Sequence, residues 1–282
     1  MEHLKELALP RTVEEFWEKK SQYGARAQVI AGGTEIVSEP PEGVECLIDI
    51  RHLASHTIVE CGDSIEIGAA VTMEELTSSK LASEIADGML CEATRQGWPL
   101  PVRSAATIGG NVAGGDPFAD TPPVLLALGA ELVLETEHGS KSVLAEDFFL
   151  DYRRTAAHNA VLMSIRIPKS VVKAQGAFVK VAPTAVDKAM VNLGVCADIA
   201  DGHCRSFRLA VGAVTRVPHR IRIVEELMTS SRLSPELLEE AADQVVQNVE
   251  PMLDMRASVE HRRSLLAAVF KRAVRSLALE AS

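Results

Sequence analysis

The sequence predicts an α+β protein in two parts that meet near residue 170. Beyond that point three strand candidates, residues 176–181, 191–199 and 204–214, precede three helix candidates, the order of an antiparallel sheet with helices on one face. Before it, strands and helices intermix, and two strand ends run into a glycine pair with a threonine beside it, at Gly32-Gly33-Thr34 and Thr107-Ile108-Gly109-Gly110. The 282 residues, 47% hydrophobic and 24% charged, have the composition of a globular chain long enough to bury a large core.

Residues 12–23 read as the first helix: Thr12-Val13-Glu14-Glu15 has the capping-box form, Val13, Phe16 and Trp17 share a face, and Gly24 ends it. Residues 27–30 follow as a short strand, residues 46–50 as a buried one, and residues 57–61 and 64–68 as a hairpin about Gly62-Asp63. Thr72-Met73-Glu74-Glu75 repeats the capping-box signature ahead of a short helix. A longer helix is expected over residues 81–96, with Leu90, Ala93 and Thr94 inward, until Gly97 and two prolines stop it. Thr121 caps the next helix, Pro122 suits its first position and Gly129 ends it. Residues 130–136 and 141–144 form a hairpin turning at His138-Gly139, followed by Asp147-Phe148-Phe149, a loop with Tyr152-Arg153-Arg154, and a strand over residues 161–167 closed by Pro168. In the second part, turns at Pro183 and Asp201-Gly202 separate the strands, and helices follow over residues 222–230, 235–249 (capped by Ser234) and 259–279 (capped by Ser258).

A net charge of −10 and an aromatic content of 4% argue against nucleic acid and anionic membrane as partners, because counterion release needs a basic face and base stacking needs aromatic platforms. The charged start, Met1-Glu2-His3-Leu4-Lys5-Glu6, has no apolar signal core and no stretch approaches membrane-spanning length, so a cytoplasmic protein is expected. Cys46, Cys61, Cys91, Cys196 and Cys204 are an odd set without a C-x-x-C pair, which fits reduced thiols better than a disulfide framework, a zinc site or an iron–sulfur cluster on this chain. There is no G-x-S-x-G, H-E-x-x-H, G-x-x-x-x-G-K-[ST] or G-x-G-x-x-G, so hydrolytic, P-loop and Rossmann chemistries find no support.

Residues 102–130 carry most of the chemistry. Glycine lets backbone N–H groups approach an anion without a Cβ in the way, and successive N–H groups in a tight turn form an anion-binding concavity. Plain strand-ending turns are the alternative, and one short glycine motif does not decide between them. Two such turns in one chain favour a shared polyanion such as a diphosphate. Asp116 and Asp120 read as paired carboxylates or, for Asp120, as a charge stabilising a helix N-terminus. Tyr152-Arg153-Arg154 reads as a phosphate clamp or redox-site lining, or as solvated loop arginines, and Lys180 and Lys188 flank a loop beside the groove between the parts. His52 and His56 fall in a loop and read as surface residues rather than metal ligands.

Together these segments resemble the FAD-binding medium subunit of molybdenum hydroxylases, the family of xanthine dehydrogenase, carbon monoxide dehydrogenase and related aldehyde- and N-heterocycle-oxidising enzymes. The resemblance covers nearly the whole chain. It rests on Ala31-Gly32-Gly33-Thr34, Val102-Arg103, Ala106-Thr107-Ile108-Gly109-Gly110-Asn111, Pro117 through Asp120, Leu125-Leu126-Ala127-Leu128-Gly129-Ala130, Asp147-Phe148-Phe149, and Tyr152-Arg153 with Thr155. It implies a two-part FAD-binding domain of the vanillyl-alcohol oxidase type over residues 1–170, with subdomains of about 1–55 and 56–170, and the small C-terminal α+β domain of these subunits over residues 171–282. Non-covalent FAD is implied, its diphosphate held by the N–H groups of Ala31, Gly32, Gly33 and Thr34 and of Thr107, Ile108, Gly109, Gly110 and Asn111, with the two threonine hydroxyls adding hydrogen bonds. By the same resemblance Asp120 holds the ribose hydroxyls, Gln28, Ile36 and Leu162 or Met163 line the flavin or adenine pockets, and Glu35, Asp116 and Lys188 complete the cofactor contacts. The chain departs from the pattern at Gly114-Gly115-Asp116, where relatives often have Asn-Ala-Ser, at Asp151, where a glycine is common, and at Met190, where some relatives carry the loop lysine.

The resemblance further implies an oxidoreductase subunit of a heterotrimer, passing electrons from iron–sulfur clusters on one partner chain, fed by a molybdenum cofactor on another, through FAD to NAD or another acceptor. Two other readings stand beside it. One is a stand-alone flavin oxidoreductase of the same fold, with Tyr152 and Lys188 as the candidate acid or base; the other is a non-catalytic assembly subunit.

Overall fold

A computed structural model describes residues 3–280, with side chains through residue 277, so Met1 and Glu2 of the charged start lie outside the described residues. The chain opens with β1 (Glu6–Ala8), α1 (Val13–Tyr23), β2 (Ala27–Ile30) and β3 (Cys46–Asp49), and β1 and β2 flank β3 in a small parallel sheet. Phe16 of α1 packs with Ala27, Cys46 and Ile48 into the core of this layer. Thr12 caps α1 through its hydroxyl, accepting the Glu15 N–H at 3.2 Å, while the Glu15 carboxylate takes the Arg11 N–H at 2.7 Å. Gly24 closes the helix at φ 54°.

The central layer is a five-stranded antiparallel sheet with helices packed against it. Its elements are β4 (Ile58–Cys61), β5 (Ser64–Gly68), α2 (Met73–Ser78), α3 (Lys80–Ser83), α4 (Met89–Gly97), α5 (Leu100–Arg103), α6 (Ile108–Gly114), α7 (Thr121–Leu128), β6 (Glu131–Thr136), β7 (Gly139–Leu144), α8 (Ala145–Phe148), β8 (Phe149–Asp151), β9 (Arg154–Thr155) and β10 (Val161–Pro168). The strand order is β4-β5-β10-β6-β7, with β8 and β9 forming a separate ribbon. Both hairpins and the Thr72 capping box fall where the sequence puts them.

The helix expected over residues 81–96 is broken. Ala86 and Asp87 take φ values of 44° and 52°, Gly88 is left-handed at 71°, and α4 starts only at Met89. The cause is distant in sequence: a Cβ on Gly176 would lie 2.1 Å from the Ala86 carbonyl oxygen, and the Asp87 carboxylate accepts the Gly176 N–H at 3.0 Å. Two segments given no element in the sequence reading are short helices, α5, which contains Pro101, and α8, which includes Asp147 and Phe148.

The last layer comprises β11 (Gln175–Val181), β12 (Val191–Ala200), β13 (His203–Gly212), β14 (His219–Arg220), α9 (Arg222–Met228), α10 (Pro235–Gln247) and α11 (Val259–Glu280), the strands forming one antiparallel sheet in that order. Val191, Leu193, Val195, Ala197 and Ile199 of β12 face the core shared with these helices. The other face of the strand lies on α7, all eight residues of which are buried. Gly194 makes that approach possible, because a Cβ there would sit 3.1 Å from the Pro123 carbonyl oxygen and the Val124 Cα. No helix among the described residues is long and apolar enough to cross a membrane.

Candidate functional site

The two glycine segments meet. A Cβ on Gly32 would lie 2.0 Å from the Ala105 carbonyl oxygen and 2.9 Å from the Ala106 Cα, so only glycine lets the bend after β2 rest on the chain entering α6. Gly33 supplies the turn itself at φ 71°. A Cβ on Gly114 would lie 3.2 Å from Glu35 Oε2, and the Thr155 hydroxyl donates to the Ala113 carbonyl at 3.1 Å, so β9 closes against the same helix.

The backbone donors of the two segments differ. The N–H groups of Ala31, Gly32, Gly33 and Thr34 have no hydrogen-bond acceptor among the described residues. In the second segment Ile108 donates to Val71 O at 2.9 Å, Gly109 to Ala69 O at 3.0 Å, and Asn111 to Thr107 O at 3.0 Å. Gly110 donates to the Thr107 hydroxyl, also at 3.0 Å, so Thr107 is the N-cap of α6 rather than part of a strand-ending turn. The protein itself thus uses four of the five N–H groups over Thr107, Ile108, Gly109, Gly110 and Asn111 that the resemblance assigns to the diphosphate. The Asn111 side chain accepts from the Thr121 hydroxyl at 2.5 Å and joins α6 to α7. Gly109 is needed for packing, since a Cβ there would be 2.6 Å from Ala69. Four adjacent unpaired donors on a bend too tight for a side chain fit a diphosphate.

Charged groups from distant segments rim this bend. Lys188 Nζ donates to Asp116 Oδ2 at 2.5 Å, and Arg153, held at φ 53°, lies 3.7 Å from Asp116, 3.3 Å from Glu35 and 3.6 Å from Glu39. Glu35, Asp116 and Lys188 are thus brought together. Asp120 takes the N-cap position of α7 but makes no side-chain cap. Its carboxylate accepts from Lys180 Nζ at 2.7 Å and from Asn192 Nδ2 at 2.7 Å, with only 4% of its side chain exposed and 3% of that of Lys180. Burial pushes the Asp120 carboxyl above its ordinary value, against the pull of Lys180 and Asn192. Lys180 is the interior partner of this ion pair and also donates to the Gln96 carbonyl at 3.3 Å.

Gln28 is half-buried on β2, its Nε2 donating to Val29 O at 3.1 Å, and Ile36 is half-buried just beyond the bend. Leu162 lies in the central core, whereas Met163, at a bulge in β10, packs on the core of the first sheet. No sequence motif marks Asn192, although an amide within the otherwise apolar run of residues 191–197 is a readable signal. Its Oδ1 has no partner among the described residues. The described residues hold no cluster of three or more metal-ligating side chains.

Residues 4–170 match the family described as the FAD binding domain in molybdopterin dehydrogenase, and residues 176–277 match the CO dehydrogenase flavoprotein C-terminal domain. The chain is 27% identical over 274 residues to the carbon monoxide dehydrogenase medium chain of Hydrogenophaga pseudoflava, covering 94% of each. It is 28% identical over 239 residues to the glyceraldehyde dehydrogenase medium chain of Sulfolobus acidocaldarius, covering 82% of this chain and 83% of that one. A solved structure of carbon monoxide dehydrogenase from Hydrogenophaga pseudoflava superposes with a TM-score of 0.93 at 28% identity, covering 99% of both chains. With its glycine bends joined and both halves of its length matched in order, the chain belongs to the FAD-binding medium subunits of the molybdenum hydroxylase family.

Proposed function

We propose that this chain carries the FAD of a cytoplasmic, multi-subunit molybdenum hydroxylase, in which electrons pass from iron–sulfur clusters on a partner chain to NAD or another acceptor. Supporting this is the unpaired N–H array at residues 31–34, seated on Ala105 and Ala106. In this reading Ala31, Gly32, Gly33 and Thr34 hold the diphosphate, and the exposed Gly110 gives it room. Gln28, Ile36 and Met163 flank the cofactor, while Glu35, Asp116, Arg153 and Lys188 set the charge at the mouth. Asp120, assigned to the ribose hydroxyls, is itself held by Lys180 and Asn192. Bound FAD would exchange electrons singly with clusters and in pairs with an acceptor. The molybdenum cofactor and clusters are assigned to partner chains, consistent with medium chains named for carbon monoxide and glyceraldehyde dehydrogenases. A division near residue 170 is supported by the second core, all of whose residues lie beyond it, while the central core also takes in Val171, Phe178, Cys196 and Ala210.

A stand-alone oxidoreductase finds less support, since Lys188 is tied to Asp116 and Tyr152 lies under Arg216, 5.7 Å from its ring centre. Expressed alone, the chain is expected to purify yellow with stoichiometric FAD, and to capture iron–sulfur and molybdenum subunits from the source cells. A folded, colourless chain that takes up no FAD overturns the proposal. Gly110→Val is expected to raise the FAD Kd about tenfold or more while the apo chain melts nearly as before. Its Cβ meets nothing closer than the Thr107 hydroxyl oxygen at 3.0 Å, so the obstruction is to the ligand rather than the core. Unchanged flavin content in that variant places the diphosphate elsewhere.

A further inference from the structure

Arg262, in the first turn of α11, is fully buried. Its Nη1 donates to the Met190 carbonyl at 2.7 Å and also to the Ala213 carbonyl, and its Nη2 donates to Asp254 Oδ1 at 2.6 Å. Nε has no partner among the described residues. The placement is unfavourable twice over, because the N-terminal turn of a helix repels a cation and burial strips the guanidinium of water. An apolar side chain of similar size would hold α11 to the sheet at lower cost. The role of Arg262 therefore lies in the atoms it binds.

Those atoms lead to the mouth of the cofactor site. Met190 stands two residues beyond Lys188. Ala213, held at φ 59°, donates its N–H to the Pro117 carbonyl at 2.9 Å, one residue beyond Asp116. Phe118, Ala189 and Ala213 pack on one another, and Asp254 also fixes Arg256, whose guanidinium lies 4.0 Å above the Phe118 ring. The 2.5 Å contact between Lys188 and Asp116 closes the circuit.

We propose that Arg262 is a positioning residue for the cofactor site: from the C-terminal helix it fixes the two backbone segments that present Lys188 and Asp116, and so sets their ion pair. Its effect on FAD rests on the function proposed above, whereas the geometry of the ion pair belongs to the chain without cofactor. In the full-length apo chain, Arg262→Met is expected to raise the acylation rate of Lys188 severalfold relative to Lys169 in the same sample, read by mass spectrometry. It is also expected to raise the FAD Kd about tenfold, but to change it less than about twofold in a Lys188→Met background, the non-additivity of residues acting through one network. Equal weakening in both backgrounds marks a general structural role and overturns the proposal, as does unchanged labelling of Lys188. If Arg262→Met does not fold, Arg262→Lys, which keeps the charge but not the bidentate reach, is expected to give an intermediate rise in labelling, and no rise overturns the proposal. If labelling responds to Arg262 while no variant, nor the native chain, binds FAD, the positioning role stands and the cofactor reading fails.

Discussion

Gly32→Ala is expected to abolish FAD retention during purification, with a Kd raised roughly a hundredfold. The added Cβ would meet the Ala105 carbonyl oxygen at 2.0 Å, its carbon at 2.7 Å and the Ala106 Cα at 2.9 Å, all backbone atoms without a rotamer to yield. Ala105 is held in place, since Ala105 and Ala106 both donate to Val102 O and the Ala106 carbonyl accepts from Met73. The bend carrying the open donors must therefore move. Overpacking of this kind costs about 3 kcal/mol at the upper end of its usual range, which corresponds to about two decades in affinity. The ratio of flavin to protein absorbance and a calorimetric titration with FAD give the measurement, with circular dichroism as the check on folding. Gly33→Ala, whose penalty is mainly the left-handed φ of 71°, is expected to weaken binding less. Equal flavin content in Gly32→Ala and the native chain removes these bends from the proposed site.

Lys180→Met is expected to be the most destabilising single change at the junction of the layers, by about 3–5 kcal/mol at neutral pH, because it leaves the Asp120 carboxylate buried without its counter-charge. The pH dependence has a definite sign. Burial already raises the folded carboxyl of Asp120, and loss of Lys180 raises it further, so the folded state binds a proton that the unfolded state has released. Stability then falls as pH rises from the unfolded carboxyl value of about 4 through the raised folded value, and levels off above it. Urea unfolding at pH 5 and pH 8 is expected to show the larger deficit at pH 8. Adding Asp120→Asn is expected to recover most of the loss and flatten the pH profile. A deficit independent of pH, or undiminished in the double variant, rules out the uncompensated charge as its origin.

Features made by neighbours along the chain are the legible ones. Thr12 and Thr72 cap the helices that their sequences announce, and the turns at Gly62-Asp63 and His138-Gly139 form the expected hairpins, because the partners lie within a few residues. The break at Ala86, Asp87 and Gly88 follows from contact with Gly176, which no local pattern encodes. Thr107 to Asn111 is misread for a related reason: two glycines argue against a helix, yet backbone bonds to Ala69 and Val71 anchor one there. In the site, the meeting of the two glycine segments follows from their resemblance to one family. The engagement of Asp120 with Lys180 and Asn192 does not, since those partners sit 60 and 72 residues away.

The enclosure of α7 bears on the order in which the chain can mature during synthesis. Its outer flank is covered by β12 and β13, whose residues leave the ribosome more than 60 positions later. A nascent chain halted near residue 170 would leave Pro123 and Val124, which lie against Gly194 and Gly212, to solvent or a chaperone. Completion of the cofactor-binding half therefore waits on the arrival of the other, and stop codons or protease nicks between them should yield aggregates rather than a smaller flavoprotein.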